Sequence, residues 1–163
     1  MGSTIGERIN YETGRAQESY ACQEEIMTIN IWTVIVATVA QFVVGAIWYM
    51  PLFGKIWGKI HGFDRQAKSK QAQMQRAMMP LLAVQLLMAA ITAFTLAWFA
   101  SALENESTYM LAIVVWLGFV MPAQVSAVIF GGTPSEWVVK KIAIMVGGSL
   151  VCYLVAAAIL SGY

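Results

Sequence analysis

The sequence predicts an all-α polytopic membrane protein, with four transmembrane helices in a bundle and a cytoplasmic amphipathic interfacial helix after the first span. Three observations carry that expectation. Apolar residues make up 59% of the chain and charged ones 12%, where a soluble domain carries about 25% charged residues. The apolar residues fall in blocks of roughly twenty or more, long enough to cross a lipid core. The charges sit between the blocks, and six of the ten Lys and Arg residues lie in the single stretch 51–76.

Residues 1–28 are polar, with Glu7, Glu12, Glu18, Glu24 and Glu25 against Arg8 and Arg15. They read as a disordered or weakly helical tail. No basic segment precedes an apolar core there, so the tail is not a signal peptide. Met27 stands just before the first apolar run. Two readings of 1–26 stay open: a native tail, or a leader or over-long start.

The domain of 29–163 follows. Its first span is about 29–50, with Trp32 near one end and Trp48 and Tyr49 at the other, as aromatic belts require. In the loop 51–76, Lys55, Lys59, Arg65, Lys68, Lys70 and Arg76 face a single acid, Asp64. Leu52, Phe53, Ile56, Trp57, Ile60 and Phe63 recur at helical spacing, which predicts the interfacial helix. Gly54, Gly58 and Gly62 repeat every four residues, a strip that either admits a close helix or weakens this one. Asp64 is the expected N-cap of a polar helix entering the second span, about 78–103, with Pro80 in that span's first turn.

An acidic turn, Glu104-Asn105-Glu106-Ser107, leads to the third span, about 108–130. Its Pro122 frees the carbonyl of Gly118 and predicts a kink. Helix breakers from Gly131 to Pro134 close it. Trp137, Lys140 and Lys141 open the fourth span, about 142–161. Excess Lys and Arg in the first and third loops predict that both are cytoplasmic, with both termini outside. Spans one and three each precede a Gly/Pro turn, a Trp and a Lys, and a two-plus-two repeat is one reading of that parallel.

No Asp, Glu, Lys, Arg or His falls inside a span. That argues against proton relays, ion-coupled transport and intramembrane acid–base catalysis, which need an ionisable group at depth. Cys22 and Cys152 form no CxxC, and no nucleotide-loop or zinc-protease motif is present. Neither metal, cofactor, nucleic acid nor enzymatic activity is therefore expected. His61 and Asp64 lie close in sequence in the basic loop but form no known catalytic spacing.

Three glutamines are the candidates for a polar function: Gln41, Gln85 and Gln124, one in each of the first three spans. Each falls about 9–14 Å from the cytoplasmic end at ~1.5 Å per residue. Two readings stay open: interhelical glue, and the lining of a pocket or pore. Small residues every four positions predict packing faces. These are Ala37, Gln41 and Gly45 running to Tyr49, then Gln85, Ala89 and Ala93, and then Gly148, Cys152 and Ala156, with Ala143 and Gly147 as a further pair.

The junction Trp48-Tyr49-Met50-Pro51-Leu52-Phe53-Gly54-Lys55-Ile56-Trp57 is similar to the WYxPLxFGKxW-like signature of the domain-of-unknown-function family 1761. It has one residue fewer between Pro51 and Phe53 than many members. The resemblance covers roughly residues 29–160. It implies four spans and a Gly/Pro turn after the third, and it implies no activity. The expected role is contact: a homo-oligomer or accessory subunit in the lipid bilayer, its basic loop on anionic lipid headgroups. The alternative is a channel or carrier for a small neutral solute, lined by the glutamines.

Overall fold

The computed structural model describes residues 29–103 and 105–162, which form helices and the turns between them. The tail with Cys22, Glu104 of the acidic turn and Tyr163 lie outside the described residues.

Helix α1 is Ile31–Ile47, started by Asn30, whose Oδ1 accepts the backbone N–H groups of Trp32 (3.0 Å) and Thr33 (3.4 Å). This cap satisfies two of the donors that a helix start leaves without partners. At the other end Pro51 has no N–H, and its ring would crowd the Ile47 carbonyl. The chain answers with a wider π turn, Trp48–Leu52, in which Phe53 donates back to the Trp48 carbonyl at 3.0 Å. Helix α2, Gly54–Ile60, follows at once.

The interfacial helix is thus only seven residues long. Gly62 ends it in the left-handed conformation (φ 65°), its N–H donating to the Lys59 carbonyl at 3.1 Å. The glycine strip serves its own loop instead of a second helix. A Cβ at Gly54 would lie 3.1 Å from the Tyr49 carbonyl oxygen, and one at Gly58 would touch Phe63.

A 3-10 turn, Phe63–Arg65, leads to helix α3, Lys68–Ala102. Two expectations are corrected here. The N-cap is Ala67, not Asp64, and no side chain caps the helix. Gln71 instead reaches back, its Nε2 donating to the carbonyls of Phe63 (3.1 Å) and Gln66 (2.9 Å). Pro80 is the thirteenth residue of a 35-residue helix, not part of a first turn. The apolar run marks the start of the span but not of the helix. The preceding Lys, Gln, Met and Arg residues are themselves good helix formers.

Helix α4 (Thr108–Val115), a second π turn (Trp116–Val120) and helix α5 (Met121–Phe130) make one continuous rod. Met121 donates to the Trp116 carbonyl, as Phe53 does to that of Trp48. Pro122 sits just beyond this turn, so the expected kink takes the form of a widened turn. Helix α6, Ser135–Leu160, completes the chain. Four helical segments are long and apolar enough to cross a membrane: Ile31–Leu52, Lys68–Ala102, Thr108–Phe130 and Ser135–Leu160.

Helix α6 packs against α1, α4 and α5; α1 also packs on α3, and α3 meets α4. Near one end, Val34, Ala37, Ala93, Leu96, Ala97, Ala112, Ala156 and Ala157 form the core cluster. It joins the start of α1 and α4 to the far ends of α3 and α6. At the other end Trp48 bonds to Ile144, and α2 touches α6. The start of α6 therefore lies beside the α1–α2 junction, bringing the two basic segments to one end of the molecule.

Candidate functional site: a polar seam on the last helix

Each hydrogen bond between the long helices described here ends on α6 or runs from it. The first begins in the junction. Trp48 Nε1–H donates to the Ile144 carbonyl at 2.9 Å. The indole reaches that carbonyl because Gly147 and Gly148 leave the surface of α6 bare. A Cβ on Gly148 would come within 2.8 Å of both Cδ1 and Nε1 of Trp48, and one on Gly147 within 3.2 Å of Cζ2.

Around Trp48 the rest of the junction closes into an aromatic cluster. Ring centroids are 4.8 Å apart for Trp48 and Phe53, 5.0 Å for Tyr49 and Trp57, and 4.4 Å for Trp57 and His61. His61 Nδ1 lies 2.9 Å from the Trp57 carbonyl. Trp48 keeps the helical conformation of α1, its N–H bonded to the Val44 carbonyl, so α1 itself turns it toward α6, and the π turn that accommodates Pro51 follows it. Trp48, expected in the aromatic belt, is half-buried against α6, while Lys55 is exposed.

The second bond is Trp116 Nε1–H to Ser149 Oγ, 2.9 Å, with the indole 8% exposed. The Ser149 hydroxyl proton has two acceptors in reach, Gln124 Oε1 at 3.1 Å and the Val146 carbonyl at 3.0 Å. Third, Cys152 Sγ donates weakly to the Gln41 carbonyl at 3.6 Å, beside Gly45, whose Cβ would lie 3.9 Å from that sulfur. The stripe Gly148, Cys152 and Ala156 is thus the face of α6 toward its neighbours.

The three glutamines are not brought together as one cluster. Gln124 is held by Ser149. Gln41 is 5% exposed, and its Nε2 has no hydrogen-bond partner among the described residues. Gln85 is exposed. Its stripe runs on through Ala89 and Ala93, both buried, but leaves the packed region before reaching Gln85. Equal depth along each helix did not imply a common site, because the packed part of α3 begins only at Ala89.

Three participants carried no site assignment from the sequence: Trp116, Ser149 and the Ile144 carbonyl. Trp116 had a readable signal. It stands in mid-span, away from either interface, and a buried indole N–H needs a partner. Ser149 follows from it as a hydroxyl in another span. The Ile144 carbonyl had no sequence signal. Replacing Ser149 by Ala strands the Trp116 N–H and loosens Gln124, and is expected to cost about 1 kcal/mol. A double-mutant cycle with Trp116→Phe, read by unfolding in mixed micelles, checks it. Purely additive single effects would dissolve the link.

The loop before α6 adds cations at the same end. Lys141 Nζ donates to Thr133 Oγ1 at 3.2 Å, and Lys140 Nζ lies 4.9 Å from the Trp137 ring centroid. Among the described residues no three His, Cys, Asp or Glu side chains gather where they could share a metal ion.

These features define a class: a small all-helical protein with four segments able to span a membrane, held by indole, hydroxyl and amide bonds to its last helix. The chain belongs to the DUF1761 family, proteins of unknown function, whose family model matches residues 32–161. The match takes in the junction, both π turns and all of α6. No curated protein and no solved structure matches the chain.

Proposed function

We propose that this is a multi-pass protein of the bacterial inner membrane, a four-helix bundle that acts through contacts and not through chemistry. Its basic end binds anionic lipid headgroups on the cytoplasmic face, and its helix faces bind a second copy or a membrane partner. The observation that carries this reading is the position of the cations. Lys55 and Lys59 on α2 and Lys140 on α6 are exposed at the end that carries Trp57 and Trp137. Exposed cations beside indoles match a headgroup layer, at about 1 kcal/mol per charge near the surface. With that end cytoplasmic, both termini lie outside.

The carrier reading draws on Gln41 alone, since Gln85 faces outward and Gln124 is tied to Ser149. Retained lipid tests the first reading. Native mass spectrometry from mild detergent is expected to show bound anionic phospholipid. Lys55→Gln/Lys59→Gln/Lys140→Gln is expected to lower its retention about tenfold or more, given about 1 kcal/mol for each charge. Equal retention of zwitterionic lipid by both proteins would remove the headgroup role. Solute uptake into proteoliposomes that Gln41→Leu abolishes, with folding intact, would put the carrier reading in its place.

A further inference from the structure

We propose that the protein pairs with a second copy of itself through the first half of α3, with Gln85 at the centre of the contact. The proposal deepens the contact reading above and rests on it. From Ala77 to Met88 every residue of α3 is exposed, three full turns in which no side chain enters the buried core. The segment reads Ala-Met-Met-Pro-Leu-Leu-Ala-Val-Gln-Leu-Leu-Met, and Gln85 is its one hydrogen-bonding side chain. Gln85 stands nine residues beyond Arg76, the last charge before the apolar run. At ~1.5 Å per residue that is about 13 Å, well inside a hydrocarbon core of about 30 Å.

A carboxamide facing lipid at that depth has neither water nor protein to bond. A second copy supplies what it lacks. An amide is both donor and acceptor, so across a twofold axis each Oε1 accepts from the partner's Nε2, and identical surfaces satisfy one another. The flanking residues have the spacing of a packing seam. Met78, Leu81, Gln85 and Met88 alternate steps of three and four, with Gln85 where a polar residue fixes register and partner number in a coiled coil. Thr92 does not compete for the amide, because its Oγ1 donates to the Met88 carbonyl at 3.0 Å. Two copies in one membrane share an orientation, so the axis runs along the bilayer normal. It brings both sets of Lys68, Lys70 and Arg76 to the same end. That repulsion lies in the headgroup region, where salt and anionic lipid screen it.

The test is energy transfer between donor- and acceptor-labelled full-length protein in liposomes, diluted with lipid. Wild type is expected to dimerise reversibly, and Gln85→Leu to need about five- to tenfold higher protein-to-lipid ratio for the same signal. Gln85→Asn, which keeps the amide, is expected to restore most of it. Gln85 is exposed within its own copy, so Gln85→Leu leaves the unfolding midpoint unchanged. In a background lacking Cys22 and Cys152, Met88→Cys is expected to cross-link between copies and Leu86→Cys not to.

Equal dimerisation by wild type and Gln85→Leu would overturn this seam, as would cross-linking through Leu86→Cys in place of Met88→Cys. Either result leaves the wider contact reading standing. Wild type that stays monomeric at every dilution overturns the seam as well; if it also retains no anionic lipid, the contact reading falls with it.

Discussion

Gly148→Ala is expected to destabilise the protein by about 2 kcal/mol, although alanine is the better helix former by about 1 kcal/mol. The sign is set by Trp48. Its Cδ1 and Nε1 occupy the space of the new methyl at 2.8 Å, closer than carbon atoms pack. Either the indole leaves or α1 and α6 separate. Overpacking of this kind costs about 1–3 kcal/mol, and the displaced indole also gives up its bond to the Ile144 carbonyl, worth about 1 kcal/mol more. Reversible unfolding in mixed micelles reads the net effect. The sharper test is the same substitution in a Trp48→Ala background. With the indole gone, the three atoms nearest the new methyl go with it, so Gly148→Ala is expected to be neutral or stabilising there. A stabilising Gly148→Ala in the otherwise unaltered protein would show that Trp48 does not sit against α6.

This pair also shows where sequence reading stopped. The four apolar segments were legible because crossing a bilayer needs length and hydropathy, both local properties. The packing stripes Ala37–Gln41–Gly45 and Gly148–Cys152–Ala156 were legible because small residues recur with the period of the helix. The inward turn of Trp48 was not. A tryptophan beside a span end fits an aromatic belt as well as a core, and its place three residues beyond Gly45 on the α1 stripe does not by itself decide between them. Its acceptor is a backbone carbonyl 96 residues away, which no side-chain pattern marks. The glutamines show a related limit. Counting residues gives depth to within a turn, but not where along a helix its neighbours begin: Gln85 shares the stripe of the buried Ala89 and Ala93 and is exposed because the packed part of α3 begins at Ala89. The polar first turns of α3 were legible as a helix entering the span, because their residues favour helix, but not its start at Lys68 in place of Asp64, which depended on the 3-10 turn before it.

Ala156→Leu is expected to have the largest effect of any single substitution discussed, at or above the upper end of the roughly 1–3 kcal/mol that overpacking costs. Ala37, Ala93, Ala112 and Ala156 have no exposed surface and belong to one cluster, one from each of α1, α3, α4 and α6. In water, a larger side chain would recover part of such a clash by burying more apolar area. In lipid it recovers nothing, because hydrocarbon already surrounds the separated helices; association there depends on close packing. Three extra carbons at the meeting point of four helices therefore act as a wedge. Ala158, two residues on, is exposed and serves as the control. Ala158→Leu is expected to change stability by no more than about 0.5 kcal/mol, since its side chain is exposed and displaces no neighbour. Unfolding in mixed micelles, with folded yield in liposomes as a second reading, separates the two. Equal effects at Ala156 and Ala158 would mean that the alanine cluster does not hold the helices together. A large loss at Ala156 alone places the strength of the fold in the close approach of small residues, with the Trp48 and Trp116 bonds fixing how α6 is turned among its neighbours.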